Sequence, residues 1–329
     1  MRTVYSPTML FPTRLNTLPG LMLAPLPLVA VGGAGLGFIS FVGGRAAVWR
    51  LADAAGPYSL LMAMGVLAVT LMLAALLGRS PSGRHVPLVV LMGLATLPWL
   101  LGIAGTQEAM EKVLAALPDA GSGNALTALV AGTGEAMVTR LLGAWMSAAL
   151  LVCVAVGLVL LRAPAVRRGE DAGILLGAVL SLMLGGIALL VALEAHQLFE
   201  LLTPLATRSP ELQAGLITQG MEKLEWMQEL RAASLGALAV LAATLIGWKF
   251  FLRPESVRRW MGNLLLVGLA ALVLLLDALP MQLAARGVRE AGVSRTLLPM
   301  VLRQNPTNAR SAAPRSRPTS PVPLIRFEK

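Results

Sequence analysis

The chain has 329 residues, of which 56% are hydrophobic and 13% are charged. A soluble domain is usually about a quarter charged, so this composition argues against a soluble globular protein. The formal net charge is +10. The basic residues stand between apolar runs and in the carboxyl-terminal tail, a distribution that indicates membrane topology rather than nucleic-acid binding.

About seven apolar runs recur along the chain, and each is long enough to cross a hydrocarbon core of about 30 Å as a helix. No strand-like alternation recurs between turns, which disfavours a membrane β-barrel. The sequence therefore predicts an all-α fold, a polytopic membrane helical bundle of about seven transmembrane helices. The predicted spans are Leu21–Gly44, Tyr58–Leu77, Val86–Ile103, Met137–Leu161, Ile174–Leu193, Ala233–Phe251 and Met261–Ala285.

The loops between the predicted spans differ in the sign of their charge. Arg79 and Arg84 join the second and third spans, whereas the loops after the third and fifth spans are acidic. Positive residues mark the cytoplasmic side, so we expect residues 1–20 inside and both acidic loops outside the inner membrane of a bacterium. The membrane domain is predicted at 21–285, and a basic tail rich in Pro, Ser and Arg at 286–329. With an odd number of spans, the tail lies outside the membrane. Either this basic tail is exported despite its charge, or one of the apolar runs does not cross.

The two acidic loops, about 104–136 and 194–232, carry apolar residues at helical spacing among the charges. One interpretation is a docking surface for a partner, with Glu108, Glu111 and Trp226 as candidate contact residues. The other is a solvated collar of helices. The runs also pair into similar helical hairpins. This similarity indicates either internal duplication or only the small set of residue types that membrane helices use.

Asp277 is the acidic residue that the sequence places deepest in an apolar run. Charge inside a membrane is expensive and usually functional, so Asp277 is a candidate proton carrier. The alternative is that the last span ends early and leaves Asp277 at the interface. The single cysteine and two histidines have no metal-ligand spacing, and there is no catalytic constellation or phosphate loop. We therefore expect neither an enzyme nor a cofactor.

The third and fourth predicted spans carry a recognisable pattern. Leu94–Thr106 is Gly-rich and ends in a Gly-Thr pair, and 134–144 opens with Glu135-Ala136 followed by Thr139. This hairpin, within residues 86–161, resembles the last two spans of the MotA/TolQ/ExbB proton-channel family. The resemblance implies that Thr106 and Thr139 line a proton or ion path beside a partner helix that carries an Asp. Arg140 departs from the family, which tends to have a second hydroxyl there, and an Arg would repel cations.

Two functions follow as expectations. The first is an integral membrane subunit of a multiprotein complex, similar to a proton-channel or stator component, with other membrane subunits, a single-span partner or further copies of itself as partners. The second is a secondary transporter with its own substrate path, which requires polar residues to converge near the middle of the membrane. The sequence shows few such residues beyond Asp277, so it favours the complex subunit.

Overall fold

A computed structural model describes residues 23–78, 88–116, 121–166, 171–202, 229–230, 232–244, 246 and 257–278. Within these ranges the chain is helical, with short turns and no β-strand. The predicted all-α fold class is therefore confirmed. The helices are, in chain order, α1 (Leu26–Phe41), α2 (Arg45–Ala54), α3 (Pro57–Gly78), α4 (Leu88–Ala116), α5 (Gly121–Val166), α6 (Asp171–Leu202), α7 (Ala232–Thr244) and α8 (Val257–Leu276).

Four of these helices, α3 to α6, are long and apolar enough to cross a membrane, and α1 with α2 passes the same test as a pair. They coincide with the second to fifth predicted spans, which are thereby confirmed as long apolar helices. Helix α3 leaves a stripe of large apolar side chains exposed: Leu60, Leu61, Met64, Leu67 and Leu71. In water such a patch would drive association, whereas in a bilayer it faces lipid. The protein is therefore membrane-embedded.

The spans α4 and α5 extend further than the apolar runs that predicted them. Helix α4 continues to Ala116 and α5 begins at Gly121, so most of the predicted outer loop 104–136 is helical. The extension of α4 buries Met110 and Val113. A side chain at Gly132 would overlap Val113, so a glycine there lets the two extensions pack together.

Contacts between neighbouring helices define two ends of the bundle. At the acidic end, the Tyr58 hydroxyl at the start of α3 donates to Glu108 Oε2 of α4 at 2.7 Å. Phe41, the last residue of α1, packs closer to the buried interior against His196 of α6, one turn before the exposed Glu200, with ring centroids 4.3 Å apart.

At the opposite end, Gly78 of α3 lies against Ala24, just before α1. Gly177 near the start of α6 lies against Leu88, which begins α4, and Leu158 of α5. The consecutive spans α3 to α6 are therefore antiparallel. Helix α5 lies at the centre, in contact with α1, α2, α3, α4 and α6.

The remaining predicted segments are only partly described. Helix α7 is shorter than a span over its described residues, as is the apolar part of α8, Trp260–Leu276. Seven spans, and the duplication of hairpins, therefore stay predictions. The segment 1–20, the tail 286–329 and Trp226 lie outside the described residues.

Candidate functional site

Helices α4 and α5 cross in backbone contact because glycines face each other. A Cβ added to Gly143 would strike the carbonyl oxygen of Pro98 and come within 2.9 Å of Gly102 Cα. A Cβ at Gly102 would lie 2.8 Å from the carbonyl oxygen of Thr139. Real Cβ atoms do not approach backbone atoms this closely, so both positions require glycine. The crossing brings every polar group on the facing sides of the two helices close together.

Pro98 interrupts the backbone hydrogen bonding of α4 at this crossing. A proline inside a helix lacks an N–H and its ring clashes with the carbonyl four residues earlier. The next N–H, that of Trp99, donates to Ser147 Oγ of α5 at 2.8 Å. This hydrogen bond between neighbouring spans is fully buried. It fixes Trp99, whose side chain has 0% exposure, at the centre of the bundle.

Thr106 and Thr139, the two predicted path residues, lie together on the facing sides of α4 and α5. Their hydroxyl oxygens are 3.0 Å apart, and both side chains are buried. Each hydroxyl also bonds to helix backbone: Thr106 donates to Gly102 O at 2.8 Å, and Thr139 to Ala136 O at 3.1 Å. Because each hydroxyl has one proton but can also accept, the bond between the two hydroxyls forms when one of them gives up its bond to the backbone and donates to the other.

A cluster of charged side chains lies where α5, α6 and the end of α8 meet. Arg140, next to Thr139 in sequence, donates from Nη2 to Asp277 Oδ2 at 2.9 Å. The other Asp277 oxygen accepts from Trp99 Nε1 at 3.1 Å. Glu194 Oε2 of α6 lies 3.9 Å from the same Nη2. Arg140 and Asp277 are fully buried and Glu194 is 6% exposed, so we call Arg140, Asp277 and Glu194 the buried charge cluster.

The buried charge cluster lies near the middle of the bundle. Trp99 follows Leu88 by eleven residues and precedes Glu108 by nine, which places it about 16 Å and about 14 Å from those two levels at the helical rise of ~1.5 Å. Leu269 of α8 packs near Gly93, and α8 then reaches Trp99 with the residue after its last turn, Asp277. Helix α8 ends at Leu276, so the last apolar helix does end early, as one interpretation of the sequence expected. That interpretation also placed Asp277 at the interface, whereas the structure buries Asp277 among helices.

Arg140 has more donors than the cluster uses. Its Nε and Nη1 are buried and have no hydrogen-bond acceptor among the described residues. A guanidinium group keeps its charge at every physiological pH, so this cation must be balanced by the carboxylates around it.

Of the predicted docking residues, two are described, and both lie at the acidic end, away from the cluster. Glu108 accepts hydrogen bonds from Tyr58 and from Lys112 Nζ, each at 2.7 Å. Glu111 accepts from Gln107 Nε2 at 3.2 Å. Both glutamates are exposed, so their contacts lie on a solvated surface. Such a surface is compatible both with a solvated collar of helices and with a docking surface for a partner.

Sequence reasoning missed Arg140, Glu194 and Trp99 as members of one site. In the sequence Arg140 stands out only as a departure from the resembling family, and Glu194 falls at the start of the acidic loop 194–232 predicted outside the membrane. A usable signal was present, since an Arg inside an apolar run requires a buried acidic partner and Asp277 was the deepest acid. No group of three or more His, Cys, Asp or Glu side chains that could hold a metal ion occurs among the described residues.

No protein-family model matches the chain, and neither the curated proteins nor the solved structures contain a significant match to it.

Proposed function

We propose that this chain is a proton-coupled integral membrane protein that binds and releases a proton at the buried charge cluster. It acts as a subunit of an energy-transducing complex in the inner membrane of a bacterium, with seven spans. The observation that carries the proposal is the convergence of two carboxyl groups, from α6 and α8, on one buried guanidinium group. Two acids around one permanent cation form an arrangement that can exist in more than one protonation state.

The distances support a proton-exchange mechanism. Arg140 forms a hydrogen bond to Asp277 at 2.9 Å, and Glu194 is 3.9 Å from the same nitrogen. When Asp277 takes up a proton, its ionic bond to Arg140 is lost, and Arg140 stays compensated by moving about 1 Å toward Glu194. The exchange therefore avoids an uncompensated buried charge. It also releases the end of α8 from α5, which couples protonation to a helix movement.

The threonine pair supports a path to this cluster. Thr139 precedes Arg140, and its hydroxyl is 3.0 Å from that of Thr106. Hydroxyl groups both donate and accept, so adjacent hydroxyls can pass a proton along a chain of hydrogen bonds. In the MotA/TolQ/ExbB family that the hairpin resembles, an Asp on a partner helix faces these positions. Here Asp277 of the same chain binds Arg140, the residue that follows Thr139, so the proposal needs no partner to supply the acid.

A secondary transporter is the second candidate, and the unused donors of Arg140 favour it. Nε and Nη1 have no acceptor among the described residues, so the cluster has capacity for an anionic substrate group such as a carboxylate. The polar convergence that a transporter requires is also met by the cluster. Purification from native membranes in mild detergent separates the two, because a complex subunit co-purifies with stoichiometric partners and a transporter does not.

The test measures proton flux in vesicles. The full-length protein, with whatever subunits accompany it in mild detergent, is reconstituted into liposomes that contain a pH-sensitive dye, and a potassium diffusion potential drives protons inward. We expect flux above empty liposomes, and a loss of at least about tenfold in Asp277→Asn. The control Glu108→Gln changes an exposed acid at the acidic end and should keep the flux. A wild-type protein without flux, or an Asp277→Asn variant with normal flux, would contradict the proposal.

A further inference from the structure

Helix α1 runs alongside α3 from one end of the bundle to the other. Ala24, just before α1, packs against Gly78 at the opposite end, and Phe41, its last residue, packs against His196, one turn before the exposed Glu200 of α6. The ring of Phe41 also stacks on Trp145 of α5, with centroids 5.2 Å apart. Helix α1 passes the test for a membrane span only together with α2, but its contacts extend it along the spans α3 and α5, close to the membrane normal.

Two glycines turn the chain sharply where α1 ends. Gly43 and Gly44 have φ angles of +86° and +115°, a region that residues with a side chain rarely adopt. Helix α2 then runs at 95° to α1. A helix perpendicular to α1 lies close to the membrane plane, and α2 ends at Ala54, four residues before Tyr58, whose hydroxyl binds Glu108 at the acidic end.

The two faces of α2 have different chemistry. The face toward the bundle carries Ala47, Val48 and Leu51, and Leu51 is buried. The outward face carries Arg45, Trp49, Arg50 and Asp53, all exposed. Trp49 is 76% exposed, the largest exposure among the large hydrophobic side chains of the described residues. An indole ring in bulk water is unfavourable, whereas the headgroup region of a bilayer accommodates both its apolar ring and its N–H.

We propose that the outward face of α2 is a lipid-binding surface, on which Trp49 enters the headgroup region and Arg45 and Arg50 bind the phosphates of anionic phospholipids. Two features of the chain select this occupant. The carboxyl end of α2 lies beside the start of α3 at the acidic end of the bundle, and the two arginines flanking the exposed indole outnumber the single acid, Asp53. Arginine binds phosphate through several donors, and an amphipathic helix with Trp and Arg is typical of the interface. This surface is separate from the buried charge cluster and does not depend on its function.

The experiment uses quenching of tryptophan fluorescence by brominated lipids. The full-length protein is reconstituted in nanodiscs that contain phosphatidylcholine or phosphatidylglycerol brominated near the headgroup end of the acyl chains. The chain has six tryptophans, so Trp49→Phe serves as the blank, and the difference between wild type and Trp49→Phe reports Trp49 alone. In mixed bilayers only one of the two lipids is brominated. We expect about fivefold enrichment of phosphatidylglycerol around Trp49, because two arginines and one aspartate leave one net positive charge, and one such charge attracts anionic lipid by about that factor.

The double variant Arg45→Gln, Arg50→Gln is the test of headgroup recognition. It should abolish the preference for phosphatidylglycerol while Trp49 remains quenched by both lipids. Both arginines and Trp49 are exposed, so these variants should fold, and thermal unfolding in detergent checks that they do. Trp49 fluorescence that neither lipid quenches would overturn the proposal and indicate water or a protein partner at this face. Equal quenching by the two lipids in the wild type would overturn it as well.

Discussion

Arg140 is a permanent cation with 0% exposure in the middle of a bundle of apolar helices. Transfer of such a charge from water into a low-dielectric interior is costly, and the cost is offset only where acids and hydrogen bonds compensate it. Asp277 provides a direct bond at 2.9 Å, and Trp99 Nε1 holds the other Asp277 oxygen in place. The three side chains come from α4, α5 and the end of α8. The pairing therefore ties three helices together, and its strength is measurable.

A double-mutant cycle measures the coupling between Arg140 and Asp277. Arg140→Gln and Asp277→Asn each leave an opposite charge buried with fewer partners, so each should reduce the free energy of unfolding by about 3 kcal/mol. In the double variant neither residue of the pair is charged. Its loss in the free energy of unfolding should therefore be smaller than the sum of the two single-variant losses by at least about 1 kcal/mol. The free energy of unfolding is measured by SDS titration in mixed micelles.

The pair of Glu108 and Lys112 is the matched control for this cycle. Their atoms are also close, 2.7 Å apart, but the side chains are 49% and 58% exposed. A cycle of Glu108→Gln and Lys112→Gln should give a coupling of only about 0.3 to 0.5 kcal/mol. A coupling at Arg140 and Asp277 no larger than this control would show that the buried pair contributes little.

The sequence predicted some of these residues and not the site that they form. Asp277 was identified because an acid among leucines is rare, and Thr106 and Thr139 because of the hairpin resemblance. The pairing of Arg140 with Asp277 joins residues 137 positions apart. No local pattern reports a contact of that sequence separation, since periodicity identifies the face of a helix and not its neighbour.

At the scale of the element, the crossing of α4 and α5 positions the site. Gly102 and Gly143 allow backbone contact, and Pro98 frees the N–H of Trp99 for Ser147. Close approach also brings the Thr139 hydroxyl to within 3.0 Å of Thr106. A helix pair separated by larger side chains would hold these groups too far apart for hydrogen bonds. Small residues at the crossing are therefore required by the site as well as by packing.

Gly143→Ala tests the crossing. Its added Cβ would overlap the carbonyl oxygen of Pro98, so the helices must separate. Overpacking of this kind destabilises by about 1 to 3 kcal/mol, which we expect as a lower apparent Tm in detergent. Gly186→Ala in α6 is the matched control because nothing lies within 4 Å of its added Cβ. If both variants unfold at the wild-type temperature, the backbone contact at Gly143 is wrong.

Hydropathy was sufficient to locate α3, α4, α5 and α6, since apolar runs of this length have few alternatives. It did not reveal that α4 and α5 continue as helices past the apolar runs, because amphipathic extensions have low mean hydropathy. The predicted first span was treated as one segment to Gly44. The turn at Gly43 and the perpendicular course of α2 depend on backbone angles that composition does not encode.

At the scale of the whole molecule, the bundle separates two kinds of surface. The acidic end carries exposed hydrogen-bonded charges such as Glu108 and Lys112, and the flanks of α3 are apolar. The buried charge cluster lies between the two ends, about half a membrane thickness from each. Its members are buried, so the proton exchange that we propose requires a path such as the threonine pair or a movement of α8.

Proton exchange at the buried charge cluster can be observed by infrared difference spectroscopy of the protein in lipid as the pH is lowered. We expect acidification to add the carbonyl band of a protonated carboxyl group in a low-polarity environment, and Asp277→Asn or Glu194→Gln to remove it. Glu111→Gln, which changes an exposed acid, should leave that band in place. A spectrum in which no such band appears, or in which it survives both cluster substitutions, would contradict proton exchange at the buried charge cluster.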